Sequence, residues 1–233
     1  MNLIKSTGTF SFFTLLSRVL GYLRDLFIAI FLGSGPIADA FFVAFRIPNT
    51  FRRLFSEGTF NAAFVPLYSA ELTKGKKPSQ KFANEIYNIL IVGLLFLILI
   101  IEIFMPWFVL LIAPGFTENS EKLELTIYLT RITFPFLFFI CLASFFAAIL
   151  NSHNRFALPA AAPIVLNLVL ILILLFGRYL NDDLVKYLAY GVTISGIIQF
   201  LLLIRFVKNF VSLNFSDIFK ETMFLTNQIN NKN

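Results

Sequence analysis

Six long apolar stretches alternate with short polar connections along the chain. Each exceeds the roughly 20 residues that a helix needs to cross the hydrocarbon of a bilayer. The pattern predicts helices over Thr7–Leu32, Ile37–Ala70, Ala83–Ala113, Lys122–Leu150, Ala157–Arg178 and Leu184–Lys208. Gly33, Gly35 and Pro36 separate the first from the second, because glycine and proline both interrupt helical propagation. The later connections read LTKGKKPSQK, PGFTENSE, NSHNRF and YLNDD. Lys5 precedes the first stretch and no small-residue cleavage pattern follows it, so an uncleaved first helix is expected. Pro48 predicts a kink within the second segment, and Pro135, Pro159 and Pro163 predict kinks or helix starts. The chain turns polar near its end, so residues 1–210 read as one membrane unit and 211–233 as a polar tail.

Composition sharpens this into a class. The chain is 58% hydrophobic and 14% charged, with mean hydropathy +0.82. Soluble domains carry about 25% charged residues, so an all-α polytopic membrane protein with six crossings is expected. The net charge of +6 reflects basic loops rather than a nucleic-acid surface. Lys74, Lys76, Lys77 and Lys81 follow the second segment, His153 and Arg155 the fourth, and Arg205 and Lys208 close the sixth. The alternate loops carry Glu118, Glu121, Glu124, Asp182 and Asp183. Lys/Arg bias marks the cytoplasmic side, which places the N-terminus in the cytoplasm. Trp107, Glu102 and Arg131 read as interfacial residues near outer helix ends. With one cysteine, Cys141, and one histidine, His153, the chain offers neither an internal disulfide nor a histidine metal cluster. The Ser-His-Asp, Cys-His and HExxH patterns of enzymes are missing from it, and no cofactor is expected. The 31 phenylalanines suit a lipid-facing surface.

One region breaks the apolar pattern. Between residues 17 and 57 stand Arg18, Arg24, Arg46, Arg52 and Arg53 with Asp25, Asp39 and Glu57. A charge at the centre of a membrane helix costs roughly 2.5–3.5 kcal/mol on insertion scales, so these groups should face the protein interior or a wet cavity. At about 100° per residue Arg18, Gly21 and Asp25 share a face, and Ser17, Gly21 and Arg24 share an overlapping one. In the second helix Asp39 aligns with Arg46, and Arg46 with Asn49 and Arg53, while Arg52 shares a side with Asn49 and Ser56. Gly21 permits close approach of another backbone or a ligand. Five arginines against three acids leave two positive charges in excess. Planar guanidinium groups bind phosphate and carboxylate through paired hydrogen bonds and stay charged. An amphiphilic anion, such as a lipid bearing phosphate, fits such a site. Structural ion pairing, with Asp25, Arg53 and Glu57 as counter-ions or supports, is the alternative role for these side chains. The carbonyl that Pro48 exposes is expected to face water in the same cavity.

SRVLGYLRD (Ser17–Asp25) and DAFFVAFRIPNTFRRLFSEGTFNAAFVPL resemble the MurJ (MviN) family of lipid II flippases, within the multidrug/oligosaccharidyl-lipid/polysaccharide exporter superfamily. The resemblance recurs at APGF (Ala113–Phe116), RITFP (Arg131–Pro135) and AILNSHNRFALPAAAPIVLN (Ala148–Asn167), and covers roughly residues 1–210. It implies a two-lobed fold around a central cavity open alternately to each side of the bacterial cytoplasmic (inner) membrane. The implied activity is movement of an undecaprenyl-diphosphate-linked peptidoglycan precursor between leaflets, without covalent chemistry. On matching positions the implied substrate-binding residues are Arg18, Arg24 and Arg52, with Ser17, Asp39 and Asn49 nearby, and Arg46 standing where many members have lysine. Members of the family have about fourteen membrane helices, and this chain matches the first six. The expectation is therefore one N-terminal lobe, truncated or split from its second half, that does not translocate lipid without a second-lobe partner. Export of another lipid-linked oligosaccharide and a non-transporting scaffold are the competing functions.

Overall fold

In a computed structural model, residues 3–56, 59–177 and 184–212 are described. Every regular element among them is helical. Helix α1 spans Leu3–Leu32, α2 Pro36–Ser56, α3 Thr59–Lys74, α4 Lys76–Ile103 and α5 Met105–Ile112. A short 3-10 helix covers Pro114–Glu118, followed by α6 (Ser120–Thr133), α7 (Phe136–Ser152), α8 (Ala157–Phe176) and α9 (Leu184–Val207). The chain is a multi-helix membrane protein. Lys76–Ile103, α6 with α7 as a continuous Ser120–Ser152, Ala157–Phe176 and Leu184–Val207 are each long and apolar enough to cross a membrane. The first two predicted segments carry the charged residues. The 30 residues of α1 give a rod roughly 45 Å long.

The predicted segments subdivide at prolines and glycines. Pro106 sits at the start of α5 and parts it from α4 at Phe104. Pro135 parts α6 from α7. The connection LTKGKKPSQK, expected as a loop, is almost wholly helical: α3 runs to Lys74, α4 begins at Lys76, and only Gly75 stands between. Gly75 takes φ 122°, which a side chain would strain. Pro78 falls in the first turn of α4, where its missing N–H has no intrahelical role.

Two breaks are sealed from neighbouring helices. Pro48 lacks the N–H that would bond the Ala44 carbonyl one turn back. Thr133 of α6, fully buried, donates its hydroxyl to that carbonyl at 2.8 Å. The exposed carbonyl therefore meets a threonine and not the water expected from the sequence. The end of α6 leaves carbonyls without intrahelical donors, and Thr193 of α9 donates to the one at Ile132. At the end of α7 Asn154 adopts φ 59°, Arg155 N–H bonds the Leu150 carbonyl at 2.8 Å and Asn154 N–H bonds the Asn151 carbonyl at 2.9 Å. This is a Schellman cap with asparagine in the left-handed position.

Helix α7 is the hub. Leu137, Phe145, Phe146 and Ile149 are fully buried, and α7 packs on α2, α3, α4, α8 and α9. Phe64 of α3 meets Phe145 edge-on at 5.1 Å and stacks on Phe82 of α4 at 5.9 Å. Many phenylalanines thus build the core instead of the lipid face expected for them. The face of α4 bearing Ile89, Phe96 and Leu99 is exposed, as is Trp107 of α5. Glu102, expected at the interface, has its Oε1 buried and lies within electrostatic reach of Arg131. Gly196 of α9 lies so close to α7 that an added Cβ would sit 2.7 Å from the Phe136 ring, the kind of small-residue contact that lets membrane helices approach.

Past α7, the His153 ring lies between Tyr68 and Phe210. Its Nε2 is 3.1 Å from the Tyr68 hydroxyl, and the Phe210 ring stacks on it at 4.4 Å. Burial pushes the His153 imidazole below its usual value, so the folded chain holds it neutral.

Two outcomes follow. Thr133→Val should lower stability by about 0.5–2 kcal/mol, because it orphans a carbonyl in a dry interior, while Thr133→Ser keeps most of it; thermal unfolding in detergent reads both. For His153 the unfolded chain takes up a proton that the folded one resists. Its contribution is therefore complete above about pH 6.5 and is lost as pH falls below that value. Unfolding temperatures at pH 7.5 and pH 5 should differ more for the natural chain than for His153→Phe.

Candidate functional site

Helices α1 and α2 do not form the close charged hairpin that their sequence proximity suggests. Helix α1 packs along α8, while α2 packs on α6 and α7, and the two barely touch. The space between them is a cavity of about 700 Å³. Its wall from α1 includes Ser17, Arg18, Gly21 and Arg24, and its wall from α2 includes Asn49, Arg52 and Arg53. The other sides come from Asn61 of α3, Ala147 and Asn151 of α7, Pro163 and Asn167 of α8, and Gln199 of α9. No Asp or Glu is among the described lining residues.

Arg24 is the most constrained of the arginines. Its side chain is 12% exposed and pairs with Asp25, with Nε and Nη2 both donating to Oδ1 at 2.9 and 2.7 Å. Nη1 donates to Asn167 Oδ1 at 2.7 Å. The guanidinium also lies over the Phe45 ring, 5.0 Å from its centroid. Those three bonds use three of its five N–H groups. Arg52 Nε donates to Asn49 Oδ1 at 2.9 Å, one helical turn back. Arg18 and Arg53 are exposed toward the cavity, and neither makes an ion pair with a described residue. Arg18 and Arg53 thus bring two positive charges to the lining that no described carboxylate offsets.

The remaining predicted site residues lie elsewhere. Asp39 is outside the cavity lining and accepts a 2.6 Å salt bridge from Lys122 of α6. Lys122 Nζ also sits 4.0 Å from the centroid of Phe116, in the APGF motif, and the Lys122 backbone N–H is capped by Asn119. Aligned with Asn49 and Arg53 on a helical wheel, Arg46 is nonetheless exposed away from the cavity lining. Asp25 is at the rim, 57% exposed, as the counter-ion of Arg24. Glu57 lies outside the described residues.

The amides went unread in the sequence. Asn151 Oδ1 is buried with no hydrogen-bond partner among the described residues. Gln199, 1% exposed, donates to the Ser195 carbonyl at 3.2 Å. Asn167 bridges two helices. The available signal for Asn167 and Gln199 was that each interrupts an apolar helical run, where a polar side chain must find a partner or a wet surface, whereas Asn151 opens the NSHNRF connection. Together the lining offers fixed cationic donors and neutral amides inside an apolar shell, and it can bind an anion whose remaining surface is apolar.

A family model described as lipid II flippase MurJ matches residues 28–228. It begins after Arg24 and continues past Phe210, where the resemblance had been expected to end. A probable lipid II flippase MurJ of Rhizobium meliloti (strain 1021) is 42% identical over 214 residues, covering 90% of this chain and 40% of that protein. A probable lipid II flippase MurJ of Rickettsia prowazekii (strain Madrid E) is 38% identical over 220 residues, covering 94% of this chain and 43% of that protein. Among solved structures, a lipid II flippase MurJ in an inward closed conformation matches with TM-score 0.70 and 30% identity, covering 90% of this chain and 44% of that one. The chain thus spans about two fifths of the length of the curated relatives it matches.

Gly21 tests the spacing of the wall. A Cβ there would meet nothing nearer than Asn167 Nδ2 at 3.7 Å. Gly21→Ala should fold with equal or higher thermal stability, since alanine favours a helix by about 1 kcal/mol over glycine. A marked fall in unfolding temperature would mean that α1 and α8 pack closer than described.

Proposed function

The chain belongs to the lipid II flippase MurJ family, and we propose that it supplies the arginine-bearing wall of a cavity that carries a diphosphate-linked lipid across the bacterial inner membrane. The single observation that carries this reading is the cationic cavity between α1 and α2. A diphosphate in hydrocarbon would face a desolvation cost far above the few kcal/mol of a single polar group. A cavity holding an excess of guanidinium groups replaces that hydration with fixed donors, which act more strongly where water is scarce. No bond is made or broken; the protein lowers the barrier to moving the charged headgroup while the prenyl chain stays in lipid.

The basic loops around Lys74–Lys81, Arg155 and Arg205 support a cytoplasmic N-terminus. In that orientation Arg52 and Arg53 stand toward the cytoplasmic end of α2, while Arg18 and Arg24 are deeper, the latter by about 9 Å along α1. The headgroup then meets Arg52 and Arg53 first and Arg18 and Arg24 next. Ser17, Asn49 and Gly21 complete the proposed contact set. Six crossings within residues 1–210 form this lobe, the first two being the charged segments. A second lobe closes the cavity, because alternating access needs two bundles moving about one site. With it, the substrate is the lipid II for which the relatives are named.

Farnesyl diphosphate is a soluble probe of the chemistry. Purified chain in detergent should bind it more tightly than farnesyl monophosphate or inorganic pyrophosphate. Arg18→Ala and Arg52→Ala should each weaken binding about tenfold or more, the scale of one lost charge-assisted hydrogen bond. Equal affinity for farnesol, or full affinity in both variants, would overturn the reading. In proteoliposomes the chain alone should leave lipid translocation at background, with activity appearing only on co-reconstitution with a second-lobe polypeptide.

A further inference from the structure

Asn167 sits on α8, 5% exposed, in the middle of an otherwise apolar helix. Its two amide atoms face two different demands on α1. Oδ1 accepts from Arg24 Nη1 at 2.7 Å, and Nδ2 donates to the Ser17 backbone carbonyl at 2.9 Å. That carbonyl has a second lone pair beyond its helical bond, so the contact adds a partner without breaking one. The orientation of the amide is dictated by the network: reversed, its N–H groups would oppose the guanidinium and its oxygen would oppose the carbonyl. Gly21 lies between these two contacts on the same face, where an added Cβ would only touch the amide, at 3.7 Å.

We propose that Asn167 is a positioning residue that aims the Arg24 guanidinium into the cavity for a diphosphate, and this rests on the reading of the cavity given above. The rim carboxylate of Asp25 holds one edge of Arg24 but is itself 57% exposed, and cannot alone set the direction of the guanidinium plane. The buried amide holds the opposite nitrogen, and two N–H groups remain to face a ligand. A neutral amide does this without cancelling charge. A carboxylate at the same place would orient Arg24 equally well and neutralise it, removing the attraction for an anion. The contact lies within the packing of α1 along α8 and joins residues 143 positions apart in the chain.

The experiment is a double-mutant cycle on the purified full chain, with farnesyl diphosphate as probe. Asn167→Leu should weaken binding about tenfold when Arg24 is present and leave it unchanged in an Arg24→Ala background, the coupling expected of a residue acting through another. Equal losses in both backgrounds, or none, would overturn the proposal. A ligand-independent readout keeps it decidable: the Arg24 Nε–H signal in arginine-labelled protein should be rigid in the natural chain and in Asn167→Asp, and mobile in Asn167→Leu. Should leucine prevent folding, Asn167→Ala serves both comparisons. If the natural chain binds no diphosphate, the cavity reading fails and the Arg24 signal alone decides: loss of rigidity in Asn167→Leu upholds the positioning role, and an unchanged signal overturns it.

Discussion

Within hydrocarbon no water is at hand to bond a stray carbonyl or guanidinium, so each polar group must find its partner inside the protein. The bond from Thr133 to the Ala44 carbonyl shows what this demands. Pro48 costs α2 a hydrogen bond, and α6 makes good the loss. Thr193 does the same for the end of α6. Each proline break therefore ties its helix to one neighbour in one register. A helix that shifted would leave an unsatisfied carbonyl costing on the order of 1–3 kcal/mol. The breaks fix the helix register because they are sealed.

The same constraint places the site. Helix α2 packs on α6 and α7, and α1 packs along α8 and is bonded to it through Asn167. The two charged helices are thereby held apart, and a cavity opens where a direct hairpin would have let their charges pair. Arg24 finds Asp25 and Asn167, whereas Arg18 and Arg53 are left facing the space. An excess of cation in a membrane-embedded cavity is costly unless the cavity is wet or occupied by an anion. That cost is the physical ground for the proposal of a diphosphate-bearing ligand.

Asp39 illustrates how a charge on the predicted face can find its partner outside the cavity. It is a membrane-segment carboxylate on the helical face shared with Arg46, yet its partner is Lys122, which also leans on Phe116. The pair pins the start of α2 to the start of α6 at the end of the molecule away from Arg52 and Arg53. Phenylalanine carries a similar lesson. Phe134, Phe136, Phe145 and Phe146 are fully buried, because a hub helix touching five others needs large side chains to fill the gaps between cylinders.

The sequence by itself determined the class and the charges. Apolar length and helical periodicity are local properties, so the all-helical membrane fold could be read directly. So could the arginine-rich region and the shared face of Ser17, Gly21 and Arg24. The missing helical hydrogen bond at Pro48 was legible too, because its cause is one residue. What the tertiary structure alone decided is the identity of partners. Asn167 meets Arg24 from 143 residues away, Thr133 meets Ala44 from 89 and Lys122 meets Asp39 from 83. A helical wheel shows which face a group occupies but not which helix arrives there. That choice is made by close packing and by the requirement that every buried polar group be satisfied at once, a condition on the whole assembly that no local stretch of residues contains.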